Sequence, residues 1–449
     1  MTNFLFDYVA DAAREYRENI DDRDVMPTHE ALADLTIFEE KLPVEPSDPL
    51  EVLRKLHTYG SPASVATTGR RFYGFVQGGA LPVTVASNWL STTWDQNAAP
   101  NILSPISGKL EDVAAGWILD IIDLPRDAGV GFVTGATMGA FSALAVARLT
   151  LLERSGYDLL KKGLFGAPEI RIVMSEEIHP MNIKALNYLG FGDDQIETIP
   201  CDDQGRVIPS QMPPLDDMTI VILQAGNINS GACDPFEEVC DLAHKAGAWV
   251  HVDGAFGAWA RASEEKKYLA KGMEQADSWS FDCHKWLNVP YDSAVYVCRD
   301  STMMRKVFGA TATYLVEDGA RDPHHYTPEL SRRARGVDVW AALKFLGHRG
   351  VAEMIDRCCR HATRFAEGLE EMGCEVLNEV CLNQVAVTYG DEAQTTALME
   401  CIQNSGVLWL GPTRWKGRVA FRFSVSSWAT TDEDVEKSLR AVKECLGKG

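Results

Sequence analysis

The sequence predicts an α/β protein built on a mostly parallel sheet with helices on both faces. Three observations predict it. Short apolar runs at residues 131–134, 170–175, 219–224, 249–253, 278–282 and 294–298 have the length of buried strands. Helical stretches separate them, as at 140–155 and 235–246. The runs are continuously apolar rather than alternating, which is the signature of strands covered on both sides.

The rest of the chain divides around that sheet. Residues 1–65 read as an N-terminal helical arm. Leu5, Val9, Ala12 and Tyr16 recur near helical spacing, with Asp7, Asp11, Glu15 and Glu18 between them. Pro27, Pro43, Pro46 and Pro49 then break the pattern, so this part is expected to be an extended, wrapped segment. Residues 66–335 form the large domain. Residues 336–449 open with a long helix, VDVWAALKFLGHRG, continue through strand-like CEVLNEV, NQVAVTY and RVAFRFSV, and end in a helix. That order implies a small C-terminal α+β domain.

Composition narrows the function classes. The chain has 449 residues, 46% of them hydrophobic, with 43 Lys and Arg against 64 Asp and Glu, a net charge of −21. So acidic a protein is a poor partner for nucleic acid or an anionic membrane. Apolar runs such as TIVILQAG are too short to cross a bilayer. The N-terminus lacks a basic lead and a long apolar stretch, so a cytoplasmic protein is expected. Eleven scattered cysteines show no CxxC and no zinc-type spacing, which points to reduced thiols and no metal site.

Four features follow strands of the inferred sheet, where α/β folds place ligands. In GVGFVTGATMGAF a strand runs into Thr134, Gly135, Ala136 and Thr137 before a helix begins. Backbone N–H groups, a helix dipole and the Thr137 hydroxyl there suit a phosphate. Asp253 ends the strand in HVDGAFGA; an N-cap or surface ion pair is the plainer use of such a residue. Lys285 follows His284 in FDCHKWLN. A lysine in apolar surroundings suits Schiff-base chemistry, and a solvated lysine with a buried stem is the plainer use. His179 lies just past a strand in SEEIHPMNIKAL, where a satisfied structural histidine is the ordinary case. Together these four supply a phosphate cup, a carboxylate for a pyridine nitrogen, a flat ring partner and an amine. The 32 residues from Asp253 to Lys285 leave room for one crossover helix.

With these motifs the sequence resembles the fold-type I, group II pyridoxal-phosphate decarboxylases, which include aromatic-amino-acid and glutamate decarboxylases. The resemblance runs from RFYGFVQGGALPVTVASNWL to RVAFRFSVSSWATTDEDV and is carried by HVDGAFGA, DCHKW and SRRARGVDVWAALKFLG. It implies that Lys285 forms the Schiff base with pyridoxal 5′-phosphate and that Asp253 pairs with the ring nitrogen. Ala255 would pack on one face of the ring and His179 on the other. Ala136 and Thr137 would hold the phosphate, and His284 would neighbour cofactor and substrate. TATYLVEDGARDPHHY resembles the catalytic loop of the aromatic decarboxylases, with Tyr314 as a proton donor to the α-carbon; packing on a loop is its plainer use. Arg422 in RFSVS resembles a family arginine that supports the active site or the structure around it.

The implied reaction is decarboxylation of an L-amino acid to the amine plus CO₂. A carbon–carbon lyase, an aminotransferase, an oxidative aldehyde synthase and a non-catalytic protein on the same scaffold stay open. A nicotinamide dehydrogenase is disfavoured by the missing GxGxxG. Two departures bear on the reaction. The family's Gly-Thr-Thr is Gly226, Asn227 and Ile228 here, so Asn227 or Asn229 stands in for a hydroxyl near the cofactor, and Met138 replaces an acidic residue. Phe72, Tyr73, Phe75 and Trp94 fall where the family meets the substrate side chain, and are equally suited to a core. The family implies a homodimer with active sites at its interface. Despite the −21 charge, the crevice is expected to be locally positive to receive a phosphate and a carboxylate.

Overall fold

The structure is a computed structural model that describes residues 3–309 and 321–447. Its large sheet contains β1 (Gly129–Val133), β2 (Arg171–Ser175), β3 (Ile196–Ile199), β4 (Thr219–Gln224), β5 (Trp249–Asp253), β6 (Ser278–Asp282) and β7 (Ala294–Cys298). The strand order is β1-β7-β6-β5-β4-β2-β3. β3, β2, β4, β5 and β6 pair in parallel, while β7 runs antiparallel to β1 and β6. The apolar runs therefore make a mostly parallel sheet. β1 and β2 differ from the expected bounds by a residue or two. β3 escapes the pattern because it is an edge strand with exposed Glu197 and Thr198, where burial does not impose an apolar run.

The helix Ala136–Arg154 packs against β6 and β7 and against the helix Pro180–Tyr188. Its Ala, Leu and Val side chains are buried almost all round. By length and composition it is apolar enough to cross a membrane, contrary to the reading from short apolar runs, but 72% of that stretch is buried inside the protein. It is the core helix of the doubly covered sheet.

The second sheet is antiparallel, in the order β10-β11-β9-β8, from β8 (Glu375–Val376), β9 (Gln384–Thr388), β10 (Gly411–Trp415) and β11 (Arg418–Ser424). The helices Glu392–Asn404 and Asp432–Leu446 pack together beside it. The helix Arg335–Glu371 links the two sheets and bends at Gly347, whose φ of 58° a side chain would resist.

Three expectations are corrected. No long crossover helix joins β5 to β6; short 3₁₀ turns at Gly257–Ala262, Lys267–Ala270 and Met273–Gln275 do so. The two strands are parallel, so the chain still crosses over between them, and it does so in short turns, the last of which starts at Gly272, φ 84°. The N-terminal arm begins with the expected helix, Asn3–Asn19, and residues 39–48, with Pro43 and Pro46, are exposed and without regular structure, but short helices flank them. Thr28 and Asp48 cap short helices at His29–Ala33 and Pro49–Lys55, the latter with proline at its first turn. The thiols are not all reduced: Cys401 and Cys445 form a disulfide, because their helices bring the Cα atoms to 5.8 Å. The other nine cysteines are free.

Candidate active site

The carboxyl ends of β1, β2, β5 and β6 open on one side of the large sheet. β1 leads through Thr134 and Gly135 into the helix Ala136–Arg154. Gly135 gives that helix no side-chain cap, and the first helical amide, that of Ala136, donates to Asp282 instead. His179 caps the helix Pro180–Tyr188 after β2, its Nδ1 accepting the Met181 N–H at 3.3 Å. Asp253 ends β5, and Asp282, His284 and Lys285 form the end and following turn of β6.

Asp253 is 4% exposed. Its Oδ2 accepts the Asn182 side-chain amide at 2.7 Å and its Oδ1 the Ala255 N–H at 3.1 Å. Burial raises its pKa, with His179 the largest opposing influence and the two donors next. Burial lowers the His179 imidazole despite the pull of Asp253. Burial thus disfavours the charge on both groups, while each favours the charge on the other.

Lys285 Nζ lies 3.0 Å from Asp282 Oδ2. The opposite oxygen of Asp282 accepts the Ala136 N–H at 2.6 Å and lies 3.4 Å from His284 Nε2. His284 Nδ1 accepts the Ser293 N–H at 3.1 Å, which leaves the ring proton on Nε2, toward Asp282. The His284 ring also stacks on Tyr291 at 4.1 Å. Burial lowers the His284 pKa, with Asp282 opposing. The loop before these residues closes tightly on the lysine turn: a Cβ on Gly78 would fall 1.8 Å from the Lys285 carbonyl oxygen.

Several expected residues sit differently from the sequence reading. Asn227 commits its Oδ1 to its own loop, accepting the Asn229 and Ser230 N–H groups at 2.8 and 3.2 Å; its Nδ2 is buried without a partner. Asn229 Oδ1 accepts the Thr413 hydroxyl. A tight asparagine turn thus stands where a hydroxyl pair was looked for. Thr137 lies in the first turn of its helix and Ala255 in the turn after Asp253. Tyr73 is core, and Phe72 stacks on Trp409 at 5.0 Å; Phe75 and Trp94 are exposed. Tyr314 lies outside the described residues.

Sequence reasoning missed Asn182 and Asp282. Asn182 follows His179 by three residues at the start of a helix, a spacing that puts both on one face. Asp282 stands three residues before Lys285 at a strand end. It also modifies the expectation of a purely positive crevice, since two buried carboxylates share it with Lys285 and Arg422. Arg422 is 8% exposed and gives one guanidinium nitrogen to the Ile228 carbonyl, leaving Nε without a partner. Burial lowers its pKa to about 10. Among the described residues no cluster of three or more His, Cys, Asp or Glu is arranged to hold a metal.

The donor set fits pyridoxal phosphate. Asp253 is buried and oriented as a partner for a protonated ring nitrogen. His179 offers a flat ring, Lys285 an amine, and the start of the helix Ala136–Arg154, beside the Thr137 hydroxyl, backbone donors for an anion. The unpartnered Asn182 Oδ1 and Arg422 Nε are buried polar atoms aimed at no protein group.

Comparison with known proteins agrees. The pyridoxal-dependent decarboxylase conserved domain matches residues 33–389. An aromatic-L-amino-acid decarboxylase of Bacillus atrophaeus is 27% identical over 431 residues, covering 90% of this chain and 87% of that one. The acidic amino acid decarboxylase GADL1 of Bos taurus is 24% identical over 417 residues, covering 86% and 79%. Among solved structures, Oryza sativa TDC with PLP and tryptamine superposes with a TM-score of 0.91 at 20% identity, covering 100% of this chain and 98% of that one. Mouse CSAD superposes at 0.89 and 19%, covering 99% of each. With its conserved domain matched over most of its length, the chain belongs to the pyridoxal-dependent decarboxylase family and is a pyridoxal-phosphate-dependent amino acid decarboxylase.

Proposed function

We propose that this protein converts an L-amino acid to its amine plus CO₂ with Lys285 as the residue that carries the cofactor. The observation that supports this most is the convergence of Lys285, His179 and the doubly bonded Asp253 on one crevice. Bound pyridoxal phosphate supplies an electrophilic carbonyl and a ring that takes up the electron pair left by CO₂.

The chain's own groups do the rest. Asp253, fixed by Asn182 and Ala255, is aimed to hold a proton on the ring nitrogen. His179 is kept neutral by burial, so it adds a flat surface without a competing charge. The helix start at Ala136 and Thr137 would hold the phosphate. Arg422 is the candidate anchor for the substrate carboxylate, because its buried cation has an unused donor. Tyr314 is the proposed proton donor to the α-carbon.

The side chain of the substrate is left open by the relatives, which are named for aromatic and for acidic amino acids. One relative at 24% identity is a 3,4-dihydroxyphenylacetaldehyde synthase of Aedes aegypti, which keeps the oxidative reading in view. We also propose a homodimer. Its support is the exposed apolar surface of Phe6, Leu56, Trp89 and Leu90 on the N-terminal arm and the helix Pro82–Trp94. The proposed compartment is the cytoplasm, supported by nine free thiols. We propose three parts, residues 1–65, 66–335 and 336–449, supported by the helical N-terminal segment and the two separate sheets.

The test is an amino-acid panel with CO₂, ammonia and peroxide measured together and products identified by mass. Amine and CO₂ without peroxide support decarboxylation; aldehyde, ammonia and peroxide overturn it. Lys285→Ala should lose the cofactor-linked absorbance band, and its retention would remove Lys285 from the role.

A further inference from the structure

His284 stands immediately before the lysine and lies beside the start of the helix Ala136–Arg154. It is 7% exposed, and a Cβ built on Gly135 would fall 3.6 Å from its Cε1. Its Nε2 is 3.4 Å from the Asp282 oxygen that takes the first helical amide. The other nitrogen, Nδ1, accepts the Ser293 N–H at 3.1 Å. The outer torsion of a histidine is soft, so one in-plane bond leaves the ring room to rock. Something has to hold its face.

Tyr291 covers that face. The two rings stack with centroids 4.1 Å apart and planes inclined by 25°. Tyr291 is 55% exposed, so burial of its own surface is a weak reason for its place over His284. It is held from two sides. The Gln77 side chain bonds to its hydroxyl, and its neighbour Asp292 pairs with Arg335 at 2.9 Å. Gln77 precedes Gly78, which lies against the lysine turn.

We propose that Tyr291 is a positioning residue for binding of the cofactor's phosphate: its ring face, and not its hydroxyl, holds the His284 imidazole with Nε2–H directed at the helix start. The proposal rests on the reading that this helix start receives the phosphate. With Nδ1 accepting from Ser293, the proton of the neutral ring is on Nε2, and that nitrogen is a donor. A donor serves an anion only when it is aimed, because hydrogen bonds weaken steeply off line. Tyr291 acts through His284 and needs no contact of its own with the cofactor.

The experiment uses the full-length chain freed of cofactor, with pyridoxal phosphate and pyridoxal as probes and binding followed by the cofactor-linked absorbance band. Both probes carry the carbonyl that meets Lys285, and one carries the phosphate. His284→Asn should weaken pyridoxal phosphate roughly tenfold and pyridoxal by less than about twofold. Tyr291→Leu should do the same, with Tyr291→Met as the second variant if the leucine chain folds poorly. Tyr291→Phe keeps the ring and loses the hydroxyl, and should stay within about twofold of the wild type for both probes. In the His284→Asn background, Tyr291→Leu should add less than about twofold, because residues that act through one contact are not additive.

Equal losses in the leucine and phenylalanine variants give the effect to the hydroxyl and Gln77, and overturn the proposal. A loss of pyridoxal as large as that of pyridoxal phosphate also overturns it, by tracing the effect to a displaced lysine turn. So does a leucine loss that persists undiminished in the His284→Asn background. If His284→Asn weakens pyridoxal phosphate selectively and Tyr291→Leu does not, the proposal falls and the phosphate reading stands. If His284→Asn leaves the preference for the phosphate unchanged, His284 does not face the phosphate, and the underlying reading falls with the proposal.

Discussion

The Asn182 side-chain amide donates to Asp253 Oδ2 at 2.7 Å, tying the helix after β2 to the strand end that carries the ring-facing acid. Burial raises the Asp253 pKa and this bond opposes the rise. Asn182→Ala therefore pushes the carboxyl further up, so the ionised form needs a higher pH. The expected outcome is an acid limb of kcat/KM displaced to higher pH. Loss of a hydrogen bond to a charged group is worth about 1.5–3 kcal/mol, or roughly 10–100-fold in kcat/KM. A pH–rate profile with unchanged limbs would assign Asn182 to structure alone.

How far the site was legible follows from the residues themselves. Asp253, Lys285 and His179 end or follow strongly apolar strands, so their placement at the sheet edge was readable from the period of the chain. Asn182 and Asp282 were not, because their roles come from partners 71 and 146 residues away that only the closed sheet brings near. The β5–β6 connection was misread for a related reason. A gap of suitable length says nothing of whether its Gly-punctuated chain will coil into a helix or short 3₁₀ turns. Asn227 was read by its position in a motif, while its side chain is spent on the turn that the neighbouring backbone needs.

His251 lies in the middle of β5 with no exposed surface, its two ring nitrogens 2.9 and 3.3 Å from the hydroxyls of Ser278 and Ser280. Burial lowers its pKa from 6.5 to about 3. The unfolded chain binds a proton near pH 6.5 that the folded chain refuses, so stability is present above that pH and falls as the pH drops toward 3. This residue alone should remove about 2 kcal/mol between pH 7 and pH 5. Urea unfolding of cofactor-free protein across that range checks it. His251→Gln should be less stable at pH 7 but lose less on acidification, and a parallel pH slope in the two proteins would refute the assignment.

Gly78 permits the loop before the helix Pro82–Trp94 to lie against the lysine turn. A Cβ there would meet the Lys285 carbonyl oxygen at 1.8 Å and the Asn288 side chain at 2.9 Å. Neither neighbour yields easily, since Asn288 is fully buried and its side chain bonds the Trp286 and Ser426 carbonyls. Gly78→Ala should cost about 1–3 kcal/mol through overpacking. It should also displace the lysine and lower cofactor occupancy, read as the ratio of cofactor absorbance to protein absorbance. Gly60→Ala, where no atom lies within 4 Å of the new methyl, is the matched control and should leave occupancy unchanged.

Arg332 and Glu111 form an ion pair at 2.6 Å with both side chains 1% exposed. The pair joins the segment before the helix Arg335–Glu371 to the helix Pro105–Ile121, and Gly336 presses on Glu111 so closely that a Cβ would fall 2.4 Å from its Cγ. Breaking such a pair from one side strands a buried charge and costs about 3–5 kcal/mol, whereas replacing both partners with apolar groups of similar volume is often neutral. Glu111→Leu alone and Arg332→Met alone should each lower the thermal midpoint sharply. The double variant should recover most of the loss, because the desolvation of two charges is removed together with their attraction. Additive losses in the double variant would mean that the two side chains act through separate contacts. One candidate is the guanidinium's second bond, to the Phe132 carbonyl on β1, which would then hold the strand leading to the phosphate cup.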